Sequence, residues 1–207
     1  MQPRFCYNKR AQETLAAFVN GGRFPHALLL EGPEGSGRRT FAREIAAALF
    51  CRGEHKPCGS CSQCRKVLER NHPDVEYYGG DGSRRSFHID TIRQLRQNAW
   101  LLPGEAPCRV CVLCGAENMT DQAQNALLKI LEEPPEHTVF ILTAENRAML
   151  LPTILSRVQT IRLEPLTPAE ILPVLRERCP DQPGEKLEWA AENAIVSHIA
   201  KFDLWNP

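Results

Sequence analysis

Residues 26–50 have the sequence HALLLEGPEGSGRRTFAREIAAALF. A short apolar run leads into a turn with three glycines and then into an alanine-rich stretch, where Phe41, Ile45 and Leu49 recur at helical spacing. This order predicts a buried strand, a glycine-rich loop and a helix over residues 40–50. Such a unit is the usual beginning of an α/β domain.

Further apolar runs with strand character lie at residues 73–78, 109–114, 138–143 and 159–163. Segments with helical periodicity lie before and between them, at residues 8–21, 89–96 and 121–133. Strands that alternate with helices form parallel sheets with both faces covered. We therefore predict an α/β fold with a parallel five-stranded sheet between helices.

The turn at residues 165–167 is the best candidate for a domain boundary. Thr167 is a suitable helix cap, the proline after it suits the first helical position, and Glu170 adds an early acid. The residues beyond this turn are too few for an independent core. We predict a main domain at residues 1–165 and part of a helical domain at residues 166–207.

Composition narrows the possible functions only slightly. The chain has 25 basic and 25 acidic residues, so its net charge points to neither nucleic acid nor membrane. Its apolar runs are too short to cross a bilayer, and its first residues lack the apolar core of a signal peptide. We expect a globular protein of the cytoplasm.

The glycine-rich loop has the outline of a phosphate-binding loop. Such a loop needs glycines that let backbone N–H groups point inward, a lysine for the outer phosphates and a hydroxyl for magnesium. Arginine occupies both the lysine and the hydroxyl position, with a threonine one residue too late. The candidate residues are Gly32, Gly35, Gly37, Arg38, Arg39 and Thr40. Because a guanidinium is a poor substitute for that lysine, we predict a degenerate loop.

Hydrolysis also requires acids at the end of a neighbouring strand, to hold the metal and orient water. Here the candidate strand ends in Cys114 and Gly115, and the first acid after it is Glu117. The sequence therefore lacks both the lysine–hydroxyl pair of the loop and the acids at the strand end, and either loss would impair hydrolysis by itself. We predict that the chain does not hydrolyse ATP and that the loop serves mainly as a structural turn.

Four cysteines predict a metal site. The chain has nine cysteines, an odd number, and with no export signal this favours reduced thiols or a metal over disulfides. Four of them have the spacing Cys51-x6-Cys58-x2-Cys61-x2-Cys64. Four thiolates form the usual closed shell of structural Zn²⁺. We predict a structural zinc module at residues 51–64, with replacement of one cysteine by His55 as the alternative.

A second group, Cys108, Cys111 and Cys114, has similar spacing but lies on a predicted strand. Residues three apart on a strand point to opposite faces, so these three thiols should not converge. We predict that they are buried as small apolar residues.

Two more segments connect these features with a known family. Residues 125–136 have the sequence NALLKILEEPPE, and residues 151–157 have the sequence LPTILSR. Together with the glycine loop and the cysteine insertion after its helix, they resemble the bacterial clamp-loader ATPase family over residues 8–178. The resemblance implies an AAA+ P-loop domain and a truncated helical lid, without the C-terminal collar of the family.

Within that family the gamma/tau subunits have the intact lysine–threonine and acidic pairs, whereas this chain is similar to the member with a decayed nucleotide site. The resemblance implies a non-hydrolysing subunit in a five-membered ring with gamma/tau and delta subunits. Such a ring opens the sliding clamp and loads it on primed DNA for DNA polymerase III. The alternatives are an active gamma/tau-type ATPase and a zinc-bearing scaffold unconnected with replication.

The resemblance also implies a role for Arg157, which follows Ser156 at the position of the family's Ser-Arg-Cys motif. There the arginine acts as a finger that reaches the gamma-phosphate of ATP on the neighbouring subunit. Val158 replaces the cysteine of the motif, a change that affects local packing more than the phosphate contact. The alternative is a surface arginine paired with a carboxylate.

Overall fold

The computed structural model describes residues 8–79, 87–178 and 181–192. Its strands are β1 (Ala27–Glu31), β2 (Val75–Tyr78), β3 (Arg109–Cys114), β4 (Thr138–Ala144) and β5 (Gln159–Arg162). They form a five-stranded sheet in the order β2-β3-β4-β1-β5, in which all neighbours are parallel. The predicted parallel sheet is therefore confirmed.

The helices are α1 (Lys9–Asn20), α2 (Arg38–Phe50), α3 (Ser62–Leu68), α4 (Ile89–Ala99), α5 (Asp121–Glu132), α6 (Pro152–Leu155), α7 (Pro168–Arg178) and α8 (Gly184–Glu192). Helix α2 begins before the predicted residue 40, because Gly37, with φ of 80°, turns the chain directly into the helix. Neither α3 nor α6 was predicted. Both are too short for a periodic apolar pattern to identify them.

The sheet separates two apolar cores, because alternate side chains of each strand point to opposite faces. The core under α1 and α2 contains the strand residues Leu28, Leu30, Val110, Val112 and Ile141. The core under α4 and α5 contains the strand residues Leu29, Cys111, Leu113, Phe140 and Leu142. All of these side chains are fully buried, so the sheet forms a rigid platform for the loops at its ends.

The three cysteines near β3 confirm this alternation. Cys111 belongs to the core under α4 and α5, whereas Cys108 and Cys114 contact the core on the opposite face. Burial raises the pKa of Cys108 to about 11 and that of Cys111 to about 12. As predicted, these thiols are separated; Cys111 and Cys114 are buried, whereas Cys108 is half-buried.

Beyond β5 a third, smaller cluster forms where α7 and α8 pack on each other. Its buried residues are Ile171, Leu175, Leu187 and Ala191. The backbone N–H and hydroxyl of Thr167 both donate to Glu170 at 2.8 Å, which gives the predicted helix start. The division into residues 1–165 and 166–207 remains a prediction, and residues 193–207 lie outside the described part.

Within the described ranges, the helices all fall short of the length and apolar character that a bilayer-crossing helix requires.

Candidate metal centre and phosphate loop

The glycine-rich loop joins β1 to α2 in a tight conformation. Gly35 and Gly37 have φ of 85° and 80°, in the left-handed region that glycine adopts without strain. A Cβ atom at Gly32 would lie 2.6 Å from both the Leu163 carbonyl oxygen and Ser36 Oγ. The shape of the loop therefore depends on these glycines.

Arg38, at the lysine position of the loop, contacts oxygen atoms of the protein itself. Its Nη1 donates to the Gly32 carbonyl at 2.5 Å, and its Nη2 lies 3.2 Å from Glu145 Oε1, just after β4. Only 14% of the Arg38 side chain is exposed. The guanidinium thus joins the loop to the end of β4. A lysine at the same position of a phosphate-binding loop would instead offer its charge to phosphate.

Arg39 and Thr40 follow in the first turn of α2, and both are half-buried. The Thr40 hydroxyl accepts a hydrogen bond from Arg43 Nη2, at 3.5 Å. The hydroxyl thus lies within the helix contacts rather than at the magnesium position of the loop. All six candidate residues lie in the loop or in the first turn of α2, and their description as a degenerate phosphate site remains a prediction.

The end of β3 carries neutral groups where an ATPase has its acids. Burial raises the pKa of the Cys114 thiol, so it is protonated at neutral pH and is a poor metal ligand. Gly115 follows with φ of 77°, and a Cβ atom there would lie 2.9 Å from Asn118 Nδ2. Glu117, the first acid, accepts a hydrogen bond from the Glu145 N–H at 3.3 Å. Its carboxylate therefore supports the segment that pairs with the loop arginine.

The four predicted zinc ligands converge at the other end of α2. The sulfur atoms of Cys51, Cys58, Cys61 and Cys64 all lie within 4.8 Å of one another. Around a tetrahedral Zn²⁺ with Zn–S distances of about 2.3 Å, sulfurs are about 3.8 Å apart. The cluster is thus of the right size and chemistry to hold a metal ion, and this donor set fits zinc.

Backbone N–H groups inside the module point at the sulfurs. Cys51 Sγ accepts from the N–H groups of Gly53 and Cys58 at 3.3 Å, and Cys58 Sγ accepts from Cys61 at 3.4 Å. Cys61 caps α3 by accepting from the Cys64 N–H at 3.4 Å. The Cys61 N–H is the main reason why the pKa of Cys58 is lowered to about 5. These donors favour the thiolate, the form that binds metal, at Cys58, whereas burial raises the pKa of the Cys64 thiol.

His55 lies apart from the sulfur cluster. Its side chain is exposed, and only its backbone carbonyl contacts the module, at 4.0 Å from Cys51 Sγ. The geometry therefore favours the all-cysteine ligand set over the alternative with a histidine.

A buried histidine joins the module to the sheet, and the sequence analysis did not identify it. His72 Nδ1 accepts a hydrogen bond from the Asp74 N–H at 3.0 Å, so Nε2 carries the ring proton and faces Gln63 Oε1 of α3 at 2.5 Å. Its ring packs on Phe50, at 4.6 Å between centroids. Burial lowers the pKa of His72, in agreement with this neutral form. The contact links α3 to the residue before β2.

Asp74 is the next residue in this network. Its carboxylate accepts hydrogen bonds from the backbone N–H groups of Gly104, Glu105 and Ala106, at 2.7 to 2.9 Å. Arg109 Nη1 lies 3.9 Å away. Burial alone would raise the pKa of Asp74, but the three N–H donors outweigh it and the pKa is lowered. A single ionised side chain thus fixes the loop before β3.

Arg157 lies between α6 and β5 at the surface, with one third of its side chain exposed. Its Nη2 is 2.8 Å from Glu132 Oε1, and its Nη1 donates to the Thr153 carbonyl at 2.8 Å and to Ser156 Oγ at 3.1 Å. Val158, in place of the cysteine of the motif, is buried in the core under α5. In the single chain the arginine is therefore paired with a carboxylate.

Helix α5, which contains most of the run quoted above at residues 125–136, holds the segment before Arg157 in place. Leu127 and Leu131 are buried against the sheet. Gln124, also buried, accepts from the Leu151 N–H at 2.8 Å and donates to the Met149 carbonyl at 3.2 Å. These two bonds fix the start of α6 relative to α5.

These segments coincide with one protein family. The family described as "DNA polymerase III, delta subunit" matches residues 7–167, from α1 to the turn before α7. The chain belongs to this family. Since the match includes the glycine loop, the cysteine module, α5 and Arg157, the resemblance predicted from them is confirmed.

Two curated relatives show how far the similarity extends. The chain is 35% identical over 164 residues to DNA polymerase III subunit delta' of Bacillus subtilis, which covers 78% of the chain and 49% of the relative. It is 32% identical over 184 residues to DNA polymerase III subunit gamma/tau of Mycobacterium bovis, which covers 88% and 32%. The chain therefore spans half the length or less of these relatives.

A solved structure agrees with the predicted AAA+ fold. A DNA polymerase III gamma subunit-related protein from Thermotoga maritima superposes with a TM-score of 0.56 at 25% identity. The superposition covers 92% of this chain and 57% of that protein. The fold described above is thus similar to that of the matched part of this protein.

Proposed function

We propose that the chain acts as a delta'-type subunit of the DNA polymerase III clamp loader. In this role it assembles with gamma/tau and delta subunits into a five-membered ring in the cytoplasm and supports loading of the sliding clamp on primed DNA. Membership of the family and the similarity to a subunit named delta' support this proposal. Because the chain spans 49% of that relative, the contacts of the whole protein are part of the proposal.

The observation that carries the proposal is the state of the phosphate loop. Arg38 pairs with the Gly32 carbonyl and with Glu145, and β3 ends in a protonated thiol at Cys114. Phosphoryl transfer depends on a cation at the outer phosphates and on carboxylates that hold magnesium. With both replaced, the chain serves as a binding and assembly subunit.

In the assembled ring, Arg157 is the proposed arginine finger, with Ser156 beside it. A cation delivered from a neighbour stabilises charge on the transferred phosphoryl group, so ATP turnover there depends on assembly. The proposal is supported by the surface position of Arg157 and by its Nη1 anchors, Thr153 and Ser156, which lie at its own helix end.

The proposed metal is structural Zn²⁺, held by Cys51, Cys58, Cys61 and Cys64. A closed shell of four thiolates offers no open position for a reacting water. Zinc would therefore stabilise the fold at the junction of α2 and α3 and take no part in ATP hydrolysis.

An active gamma/tau-type ATPase is the second candidate. The match to the Mycobacterium bovis gamma/tau subunit over 88% of the chain favours it, as does the glycine-dependent shape of the loop. The two candidates differ in turnover. We expect the full-length protein, incubated alone with ATP and Mg²⁺, to release phosphate at the background rate. Sustained release well above that of a boiled sample would identify the active ATPase.

Substitution of Arg157 by alanine tests the finger in the complex of full-length protein with gamma/tau and delta subunits. We expect hydrolysis at the neighbouring site to fall by about 10³-fold, the lower end of the range for such a cation. Phosphate release and clamp loading measure the effect. Arg176→Ala is the matched control, because Arg176 is exposed and paired with Glu188 at 3.1 Å in α8. Equal rates for the two variants would rule out the finger.

A further inference from the structure

We propose that Glu132 is a positioning residue for Arg157 that competes with the neighbour's phosphate. Its carboxylate holds the guanidinium on this chain, at 2.8 Å, until phosphate oxygens displace it. This inference rests on the proposed action of Arg157 in the ring. It assigns a function to Glu132, at the last residue of α5.

The contacts of Arg157 divide into two sets. Nη1 donates to the Thr153 carbonyl and to Ser156 Oγ, which belong to its own short helix and the residue after it. Nη2 contacts Glu132, which lies on a different helix. The guanidinium can therefore exchange its Nη2 partner while the Nη1 contacts keep it at the surface.

The pair between Glu132 and Arg157 has a local reason to form but is weak enough to exchange. Glu132 ends α5, and a negative charge at the C-terminal end of a helix is unfavourable. Arg157 offsets that charge, which gives the pair a local reason to form. Both side chains are partly exposed, 48% for Glu132 and 33% for Arg157, so water screens their attraction.

A phosphate group is a stronger partner for the same nitrogen. It carries more charge than a carboxylate, and guanidinium–phosphate hydrogen bonds are among the strong, charge-assisted ones. When Arg157 Nη2 exchanges Glu132 for phosphate, Glu132 still has cationic neighbours. It lines a surface cavity of about 260 Å³ together with Arg96 and Lys129. The displaced carboxylate therefore stays near positive charge.

The competition has a measurable consequence. Apparent affinity falls with the fraction of molecules in which the binding group is available, and the Glu132 pair reduces that fraction for Arg157. An exposed ion pair of ordinary strength corresponds to about a two- to fivefold effect on an equilibrium. Removing the charge of Glu132 should tighten ATP binding at the neighbouring site by that factor.

The experiment compares Glu132→Gln with Glu133→Gln in the assembled complex. Glu133 is exposed, lies next to Glu132 at the same helix end and lines the same cavity, so it controls for the loss of one negative charge. For Glu132→Gln we expect the ATP concentration at half-maximal hydrolysis to fall about two- to fivefold, with kcat unchanged. For Glu133→Gln we expect no change in either quantity.

A double variant separates this inference from the finger itself. In an Arg157→Ala background, Glu132→Gln should have no further effect, because its action passes through the arginine. Equal half-maximal concentrations for the Glu132 and Glu133 variants would overturn the competition, as would a fall in kcat. If Arg157→Ala itself leaves hydrolysis unchanged, the proposed finger fails as well, whereas the delta'-type role is tested separately by the ATP turnover of the full-length protein.

Discussion

Helix α2 has a potential ligand site at each end, and the two ends differ in what they retain. At its C-terminal end, Cys51 and three later cysteines keep their donor atoms together within 4.8 Å. At its N-terminal end, the glycines keep the shape of a phosphate loop, but Arg38 binds the protein's own oxygens. One helix thus joins four convergent thiols to a glycine loop in which an arginine stands at the lysine position.

The difference shows how far a site depends on distant parts of the chain. The cysteine site is built within residues 51–64, so one short segment specifies all of its ligands. A hydrolytic site needs side chains from the loop, the end of β3 and a neighbouring subunit. A replacement at a single position, such as the lysine position held by Arg38, is therefore enough to change the proposed chemistry while the backbone keeps its course.

Of the changes that test this comparison, loss of one thiol should have the largest effect on stability. In Cys61→Ser, the metal loses one of four ligands and the Cys64 N–H loses its sulfur acceptor. We expect loss of the bound metal and destabilisation by about 3 kcal/mol or more, which lowers Tm by about 6–12 °C. Metal analysis and thermal unfolding measure the two effects.

His55→Ala is the control for that variant, because it changes the same segment at an exposed position outside the sulfur cluster. Its metal content and Tm should equal those of the native protein. Metal loss in this variant would show that the histidine is a ligand after all.

Asp74→Asn should have the next largest effect, because it weakens the attachment of the module to the sheet. An amide NH₂ would face N–H donors in place of a carboxylate oxygen, so we expect destabilisation by about 2–4 kcal/mol. The folded-state pKa of Asp74 is lowered. Its stabilising effect is therefore complete above the ordinary value of about 3.9 and is lost as pH falls through the folded-state pKa. Denaturant unfolding between pH 3 and 7 measures this effect.

The Asp74 variant should consequently show a smaller loss of stability in acid than the native protein. Asp90→Asn is the control, since Asp90 is an exposed partner of Arg93 at 2.8 Å. Parallel acid profiles for the native protein and the Asp74 variant would contradict the assigned network.

Restoring the loop residues should have the smallest effect. Arg38→Lys combined with Arg39→Thr returns the lysine and hydroxyl but leaves Cys114 at the end of β3. We expect phosphate release to stay at background. Stability should fall by only about 1 kcal/mol, because Arg38 loses its contacts with the Gly32 carbonyl and Glu145. ATP turnover by this variant would show that the β3 acids are dispensable and that the two ends of α2 are more alike than described.

The sequence predicted those features that neighbouring residues specify. Glycine spacing gave the loop, cysteine spacing gave the metal ligands, and alternation along β3 separated Cys111 from Cys114. The contacts of His72, Asp74 and Gln124 could not be predicted in this way. Each joins elements that are distant in sequence, and a polar residue of this kind has the same local pattern as an exposed one.

The pairing of Arg157 with Glu132 illustrates the same limit. Arg157 was predicted to be a finger and Glu132 lies in the quoted run at residues 125–136, but their contact was not predicted. Their contact depends on how the start of α6 packs against α5, which two hydrogen bonds of buried Gln124 fix. In the structure, the arginine proposed to act on a neighbouring subunit therefore contacts a carboxylate of its own chain.

Gly115 restricts which side chains the end of β3 can carry. Its φ of 77° and the 2.9 Å approach of a Cβ atom to Asn118 Nδ2 mean that an acid at this position would meet steric resistance, besides a left-handed strain of about 1–2 kcal/mol. A substitution that placed an acid at Gly115 alone would thus lose stability before any gain in catalysis. Conversion of this end of β3 into one that carries an acid would therefore require a change of backbone conformation as well as of side chain.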